Sequence, residues 1–390
     1  MITRFGVQNF KALRDIALEL TPIHALIGPN DSGKTSILNA LAALSRSTDL
    51  PLQQAFAGSW EGRELVWHGN AEGTVRLSAE SIAEGFPFQY SLECRFPNAG
   101  RNVVVEDENA TIEQKIDFTR RGHGNTLVQA VCVNNQNASE ELKHACHIVH
   151  EALSGVHYHR WIGRHLALPA APDSERRFRL NPDGFGLALF LDDILGFDRD
   201  RFNLLEKKFC SIFPEVSSIK LMPQMAFRSP YESIEQVSKL NSADGKGLYF
   251  QLRGSKQLVP AAQASDGALL ILGYLAVLFS PSPPRLLLIE EPENGIHPKR
   301  LKMVLEILRE IVSEQPSTQV VLTTHSPYAV DLLKPEEVTL CTKGSDGAIS
   351  LTRMADSQSV RDQLSVFTLG EIWTAEGDED LAVRRTASPS

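Results

Sequence analysis

The stretch IHALIGPNDSGKTSIL, residues 23–38, decides the fold. Ile23 to Ile27 form a short apolar run broken only by His24, as expected of a strand buried on both faces. The next eight residues, Gly28-Pro29-Asn30-Asp31-Ser32-Gly33-Lys34-Thr35, match GxxxxGK[ST] without departure. Beyond them Ile37, Leu38, Leu41 and Leu44 recur at helical spacing. Strand, loop and helix together are the context that phosphate binding requires. Glycines let the backbone curl so that successive N–H groups point at an anion. The helix start adds its positive dipole end. Lys34 can reach the β and γ phosphates of a nucleotide, and the Thr35 hydroxyl can ligate Mg²⁺. Gly28, Asn30, Ser32, Gly33, Lys34, Thr35 and Ser36 are therefore candidate ATP-binding residues. The bland alternative is a glycine-rich turn, which the flanking strand and helix signals disfavour.

A second apolar run, RLLLIEEPENGIHP at Arg285–Pro298, ends in two adjacent carboxylates. Burying an unpaired charge is costly, so a strand ending this way needs something cationic or reactive beside it. A P-loop ATPase supplies both needs. One carboxylate holds Mg²⁺, usually through water, and another orients or deprotonates the attacking water. Glu290 is assigned to the metal together with Thr35, and Glu291 to catalysis. Strand alternation is expected to point the two to opposite sides. The alternative is a solvated strand end.

Composition sets outer bounds. A chain of 390 residues with 42% hydrophobic and 22% charged residues reads as globular, with room for one large or two to three ordinary domains. No apolar run approaches the roughly 20 residues of a membrane span, and the opening MITRFGVQNFKAL reads as a strand rather than a signal peptide. Five scattered cysteines without a CxxC fit free thiols in a reducing cytoplasm. A net charge of -9 excludes a wholly basic nucleic-acid-binding surface. Arg160, Arg164, Arg176, Arg177 and Arg179 form the most obvious local patch, read first as a solvated face.

Patterning organises the rest. Residues 2–10 and 14–20 alternate like a hairpin, and 63–130 read as a mostly antiparallel β lobe. A helix is expected over 138–153, a strand near 155–162, and a boundary near 168–183. Residues 184–245 read as helical segments. GLYFQLRG and KQLVPAA pair as strands before an apolar helix, and strands at 285–290, 319–323 and 337–342 alternate with helices at 298–313 and 327–333. The expected organisation is a discontinuous head, 1–165 and 246–350, a mainly helical insertion at 166–245, and a C-terminal tail at 351–390. The fold class is α/β: a mixed sheet flanked by helices, an antiparallel β lobe and an inserted helical region.

Six of the eleven histidines lie between His144 and His165, with Cys146 among them. His144, His147 and His150 fall at i, i+3, i+6, which drifts around a helix and matches no standard zinc spacing. Ordinary helix and strand residues are the simpler reading.

The ordered motifs resemble the ABC-type ATPase heads of the SMC, RecF and OLD (overcoming lysogenization defect) families, and most of all stand-alone OLD-like AAA ATPases without a nuclease half. FGVQNFKALRDIALEL followed by LIGPNDSGKTSIL resembles their amino-terminal hairpin and Walker A segment. Ser265-Asp266-Gly267 resembles a shortened signature motif, Glu290-Glu291-Pro292-Glu293 the Walker B segment, and Asn294–Pro298 the D-loop. Thr323-Thr324-His325-Ser326-Pro327 resembles the switch-histidine segment. The resemblance covers residues 1–45 and 245–345. It implies ATP and Mg²⁺ as ligands and a homo-oligomer, at least a dimer, with two heads facing head to tail and ATP between them. Ser265, Asp266 and Gly267 would then act in trans, at a helix start whose N–H groups favour an anion, and His325 would sense the γ phosphate. Ser265 as a plain N-cap and His325 as a satisfied buried histidine are the alternatives. His297, before a proline, reads as a turn residue. Glu290 stands where the families usually carry aspartate, and the Q-loop glutamine stays open between Gln129 and Gln136.

No separate TOPRIM nuclease is legible after the switch-histidine strand, and Asp378-Glu379-Asp380 reads as a solvated acidic turn. The resemblance thus implies an effector partner such as a nuclease, and by analogy a phage-defence module. The competing function is a RecF-like repair ATPase that binds DNA through the β lobe and the arginine patch. A membrane-transporter subunit fits poorly with the degenerate signature and the inserted lobe.

Overall fold

The computed structural model describes residues 1–390 apart from 57–61, 84–85, 98–102, 113–115, 123, 135, 173–177, 179, 233–243 and 383–390. The chain forms two compact units. One comprises residues 1–157, 285–288 and 316–390, the other 158–284 and 289–315.

The first unit holds an antiparallel sheet and most of a mixed one. Strands β1 (Ile2–Phe10) and β2 (Leu13–Glu19) form the expected hairpin. β1 buries Ile2, Phe5, Val7 and Phe10 and exposes Thr3, Arg4 and Gln8, with a register shift against β4 between Ile2 and Arg4. The lobe strands β4 (Thr74–Ala83), β5 (Phe86–Arg95), β6 (Val104–Ile112) and β7 (Ile116–Arg120) are antiparallel, as expected. They do not stand apart from the hairpin: β4 pairs with β1, giving one sheet in the order β2-β1-β4-β5-β6-β7.

The mixed sheet runs β15-β14-β3-β13-β12-β8. Its members are β3 (Ile23–Ile27), β8 (Val156–His159), β12 (Leu286–Glu290), β13 (Gln319–Thr323), β14 (Val338–Lys343) and β15 (Ile349–Arg353). Every residue of β3, β12 and β13 is buried, the pattern of strands covered on both faces. β3 lies between β13 and β14, parallel to both. Helix α1 (Lys34–Asp49) follows β3 and buries Ile37, Leu38, Leu41 and Leu44, the positions read as its apolar face. Helix α2 (Glu140–Leu153) starts at Ser139, whose side chain accepts from the Leu142 N–H.

The second unit contains helices α3 (Leu187–Phe197), α4 (Arg199–Ile212), α5 (Asp266–Leu278) and α6 (Pro298–Glu314), with a sheet β11-β10-β9. β10 (Asp244–Leu252) and β11 (Leu258–Pro260) pair as expected. The helical reading of 184–245 holds over α3 and α4 and fails at 216–225, while 233–243 lie outside the described residues. Val216–Met225 is strand β9, antiparallel to β10. Pro223 is tolerated there because β9 is an edge strand. α5 is buried at every position from Gly267 to Leu278, so it is the core helix of this unit.

From residue 351, expected as a tail, the chain completes β15 against β14 and continues into helical turns at Gln358–Gln363 and helix α7 (Leu369–Ala382), broken at Gly377. Asp378, read as part of an acidic turn, accepts a 2.8 Å hydrogen bond from the Trp373 indole. All five cysteines are free. Among the described residues no helix is long and apolar enough to cross a membrane.

His24, the one polar residue of β3, is fully buried. Its Nδ1 meets Thr21 Oγ1 at 3.1 Å and its Nε2 meets Thr339 Oγ1 at 2.9 Å. Burial first, then the Arg353 guanidinium, lower its pKa to about 3 against an opposing pull from Glu337. The folded state therefore keeps His24 neutral where the unfolded chain would accept a proton. This contribution is complete above the unfolded pKa of about 6.5 and is lost as pH falls toward 3. Between pH 7.5 and 5, wild type should lose about 2 kcal/mol more stability than His24→Gln in urea denaturation. Equal losses would refute the assignment.

Candidate functional site

The loop after β3 is shaped by left-handed backbone at three positions: Gly28 (φ 127), Asp31 (φ 67) and Gly33 (φ 83). Gly28 is forced. A Cβ there would lie 2.2 Å from the Cys341 carbonyl oxygen, because β14 runs directly beside β3. A Cβ on Gly33 would lie 2.8 Å from Ile349 Cγ1. Lys34, buried, folds its ammonium back over the loop. It donates to the Gly28 carbonyl at 2.9 Å, the Pro29 carbonyl at 2.7 Å and Ser32 Oγ at 3.3 Å. The N-terminus of α1 carries no side-chain cap and no acidic residue in its first turn. Its first N–H groups thus face no competing side chain, which suits an anion. Thr35 and Asn30 are exposed and Ser32 is buried. Lys343 pairs with Asp31 at the loop's rim.

β13 runs parallel to β3 with Thr323 opposite Leu26. Chain direction therefore brings the residue that follows β13 and the loop that follows β3 out at the same end of the sheet. The Thr324 N–H donates to the Leu26 carbonyl at 3.1 Å, and exposed His325 comes next. The alternative of a buried histidine does not apply.

In the second unit, Glu290 and Glu291 occupy different environments, but not through strand alternation as expected. β12 ends at Glu290, and Glu291 has left-handed backbone (φ 47), an unusual conformation for a non-glycine residue. The turn, not the pleat, separates them. The Glu290 side chain is 3% exposed. The Tyr158 hydroxyl donates to its Oε1, and Arg160 Nε lies 3.4 Å from its Oε2. Glu291 Oε2 accepts from Asn294 Nδ2 at 2.5 Å, and the Asn294 N–H closes the turn onto the Glu291 carbonyl at 3.0 Å. Sequence reasoning missed Tyr158 and noted Arg160 only as surface charge. The signal was present: both lie two apart in a strand-like segment, hence on one face.

Ser265 is the N-cap of α5, its Oγ accepting from the Ala268 N–H at 3.3 Å. The buried Gly267 lies against the turn after Glu291: a Cβ on it would be 3.5 Å from the Gly295 carbonyl. Asp266 packs on Gly163, where a Cβ would be 2.1 Å from its Oδ1. His297 caps α6 through the Lys299 N–H, as expected of a turn residue.

The histidines of the 144–165 cluster disperse. His150 pairs with Asp49 at 2.9 Å, His147 lies 3.9 Å from Cys132 Sγ, and His165, buried, pairs with Asp183 at 3.1 Å. No group of three or more His, Cys, Asp or Glu able to hold a metal occurs among the described residues. Of the arginine patch, Arg176, Arg177 and Arg179 lie outside the described residues. The metal-site candidates Thr35 and Glu290 offer oxygen donors, the type a hard cation such as Mg²⁺ prefers.

A glycine-curled loop between a buried parallel strand and an uncapped helix defines a P-loop protein. Two family models match the chain: "AAA ATPase domain" over residues 1–122 and "AAA domain, putative AbiEii toxin, Type IV TA system" over residues 161–331. An OLD nuclease of Thermus scotoductus is 23% identical over 410 aligned positions, spanning 99% of this chain and 70% of that protein. Among solved structures, an Smc head bound to the C-terminal winged-helix domain of ScpA shares 13% identity with a TM-score of 0.54, covering 90% of this chain and 97% of that one. An Smc head with an extended coiled coil, bound to a ScpA domain from Pyrococcus furiosus, shares 12% with a TM-score of 0.52, covering 93% and 99%. The chain thus has the fold of the Smc heads and is similar to AAA ATPase domains and to the OLD nuclease.

Gly28→Ala tests the loop geometry. Left-handed strain and the approach to the Cys341 carbonyl should weaken binding of a fluorescent ATP analogue about tenfold or more. The fold, checked by circular dichroism, should persist. Unchanged affinity would show that the close approach does not constrain the loop.

Proposed function

We propose that this chain is an ATP-driven switch. It binds and hydrolyses ATP at Gly28–Ser36, nucleotide draws two copies together head to tail, and the cycle controls an effector partner. The observation that carries this reading is the posture of Lys34, whose ammonium is held by three oxygens of its own loop. Phosphate oxygens can take over those bonds, with the uncapped N–H groups of α1 as co-donors.

The residues divide the work. Gly28, Asn30, Ser32, Gly33, Lys34 and Ser36 cradle the phosphates, and Thr35 and Glu290 hold Mg²⁺. When bound, Mg²⁺ neutralises charge on the β and γ phosphates. Glu291, fixed by its turn and by Asn294, orients and deprotonates the attacking water. His325 donates to the γ phosphate. Ser265, Asp266 and Gly267 of one copy act on nucleotide held by the other, with Ser265 and Asp266 exposed for that contact.

The effector we propose is a nuclease, the activity for which the Thermus relative is named, in a phage-defence setting. The compartment is the cytoplasm, where five free thiols persist. In the arginine patch that a DNA-binding reading would use, Arg160 pairs with Glu290, Arg164 is exposed, and Arg176, Arg177 and Arg179 lie outside the described residues.

Two variants separate the roles. Glu291→Gln should lower ATP turnover about a hundredfold or more, the scale of a lost general base, while trapping an ATP-dependent dimer seen by light scattering. Lys34→Ala should lose nucleotide binding and dimerisation together. Normal turnover in Glu291→Gln would remove Glu291 from the role of base.

A further inference from the structure

Glu290 is enclosed by its own unit before any ligand is considered. Its side chain is 3% exposed, whereas the side chain of Arg160, which faces its Oε2, is 66% exposed. The asymmetry matters. The carboxylate cannot turn to water for solvation, so it needs a cation or donors at all times. The guanidinium can leave for solvent at little cost.

The contacts differ in strength. Tyr158 donates its hydroxyl to Oε1. Arg160 presents a single Nε at 3.4 Å, the long end of hydrogen-bond range and far from a bidentate fork. The backbone that carries both residues is pinned. The Arg160 N–H donates to the Pro182 carbonyl at 2.7 Å and the Ile162 N–H to the Asp183 carbonyl at 2.9 Å. Trp161 packs 4.5 Å from the Tyr274 ring, tilted by 39°, and over Gly273, where a Cβ would be 2.9 Å from the indole. A rigid base thus carries one strong donor and one weakly held cation, aimed at the two oxygens of one buried carboxylate.

We propose that Arg160 is a positioning residue that sets the divalent-metal affinity of Glu290. It occupies Oε2 until a cation displaces it, and Tyr158 keeps the carboxylate oriented throughout. This rests on the reading of Glu290 as the metal-side carboxylate. It also gives the glutamate a reason: the extra methylene relative to aspartate carries the two oxygens out to Tyr158 and Arg160 together.

The test is equilibrium binding of Mn²⁺, followed by electron paramagnetic resonance, to full-length protein saturated with a non-hydrolysable ATP analogue. Arg160→Ala removes the competitor and should tighten Mn²⁺ by about two- to fivefold, the scale of an exposed ion pair. Arg160→Lys keeps the charge and should bind Mn²⁺ close to wild type. Tyr158→Phe frees the carboxylate and should weaken Mn²⁺ by a similar factor. Thermal denaturation confirms that each variant is folded. Glu290→Gln separates the two levels of the argument. If it weakens Mn²⁺ while Arg160→Ala leaves affinity unchanged or lowered, the competition is wrong and the metal assignment stands. If Glu290→Gln leaves Mn²⁺ binding unchanged, the metal assignment falls and the role of Arg160 falls with it.

Discussion

The carbonyl oxygen of Cys341 lies 2.2 Å from where a side chain at position 28 would begin. That approach follows from β14 pairing parallel to β3 with Leu340 opposite Ile27, so that the chain leaves β3 against a neighbouring backbone. Only glycine can turn there, and it turns left-handed. The path of Pro29–Ser32, the left-handed Gly33 and the first turn of α1 depend on that single exit. Gly33 is hemmed in the same way, by Ile349 of β15 and by Leu13 of β2. The curl of the loop is thus fixed by strands on its flanks. The thiol of Cys341 takes no part: burial pushes it up to about 12, so it stays neutral.

The parts legible in the sequence are those whose physics is local. A five-residue apolar run with glycine after it marks β3, and a run ending in carboxylates marks β12, because strands buried on both faces tolerate little else. Gly28 and Gly33 are legible for the same reason: left-handed turns permit few substitutes. Position 216–225 was not legible. Its buried residues are Val216 and Ile219, a spacing of three that suits a helix as well as a strand, and pairing with β10 decides the matter. The joining of β4 to β1 was hidden as well, since antiparallel alternation says that a strand has one buried face but not which strand lies beside it.

The adjacent carboxylates are separated as expected, but by a different cause. Alternation along a strand would point Glu290 and Glu291 apart, but β12 has already ended when Glu291 is reached. The left-handed backbone at Glu291 does the separating, and such a conformation at a glutamate persists only where its surroundings hold it. Asn294 and the turn it closes supply that hold. The same turn carries Gly295 against Gly267, which ties the position of Glu291 to the start of α5. The motifs Glu290–Asn294 and Ser265–Gly267, separate in sequence, are therefore one packed structure within their unit.

Glu290 poses the harder electrostatic problem, since a nearly inaccessible carboxylate must be compensated by its own unit. Tyr158 and Arg160 do this from one face of β8 and the residue just past it. Neither belongs to a recognisable motif, because many donors could satisfy a buried carboxylate and the sequence records only which ones were used. An aspartate on the same backbone would draw its oxygens back by a methylene, away from both donors. The departure at Glu290 and the pair Tyr158–Arg160 are thus one feature seen from two ends: the longer carboxylate is matched to the donors it must reach.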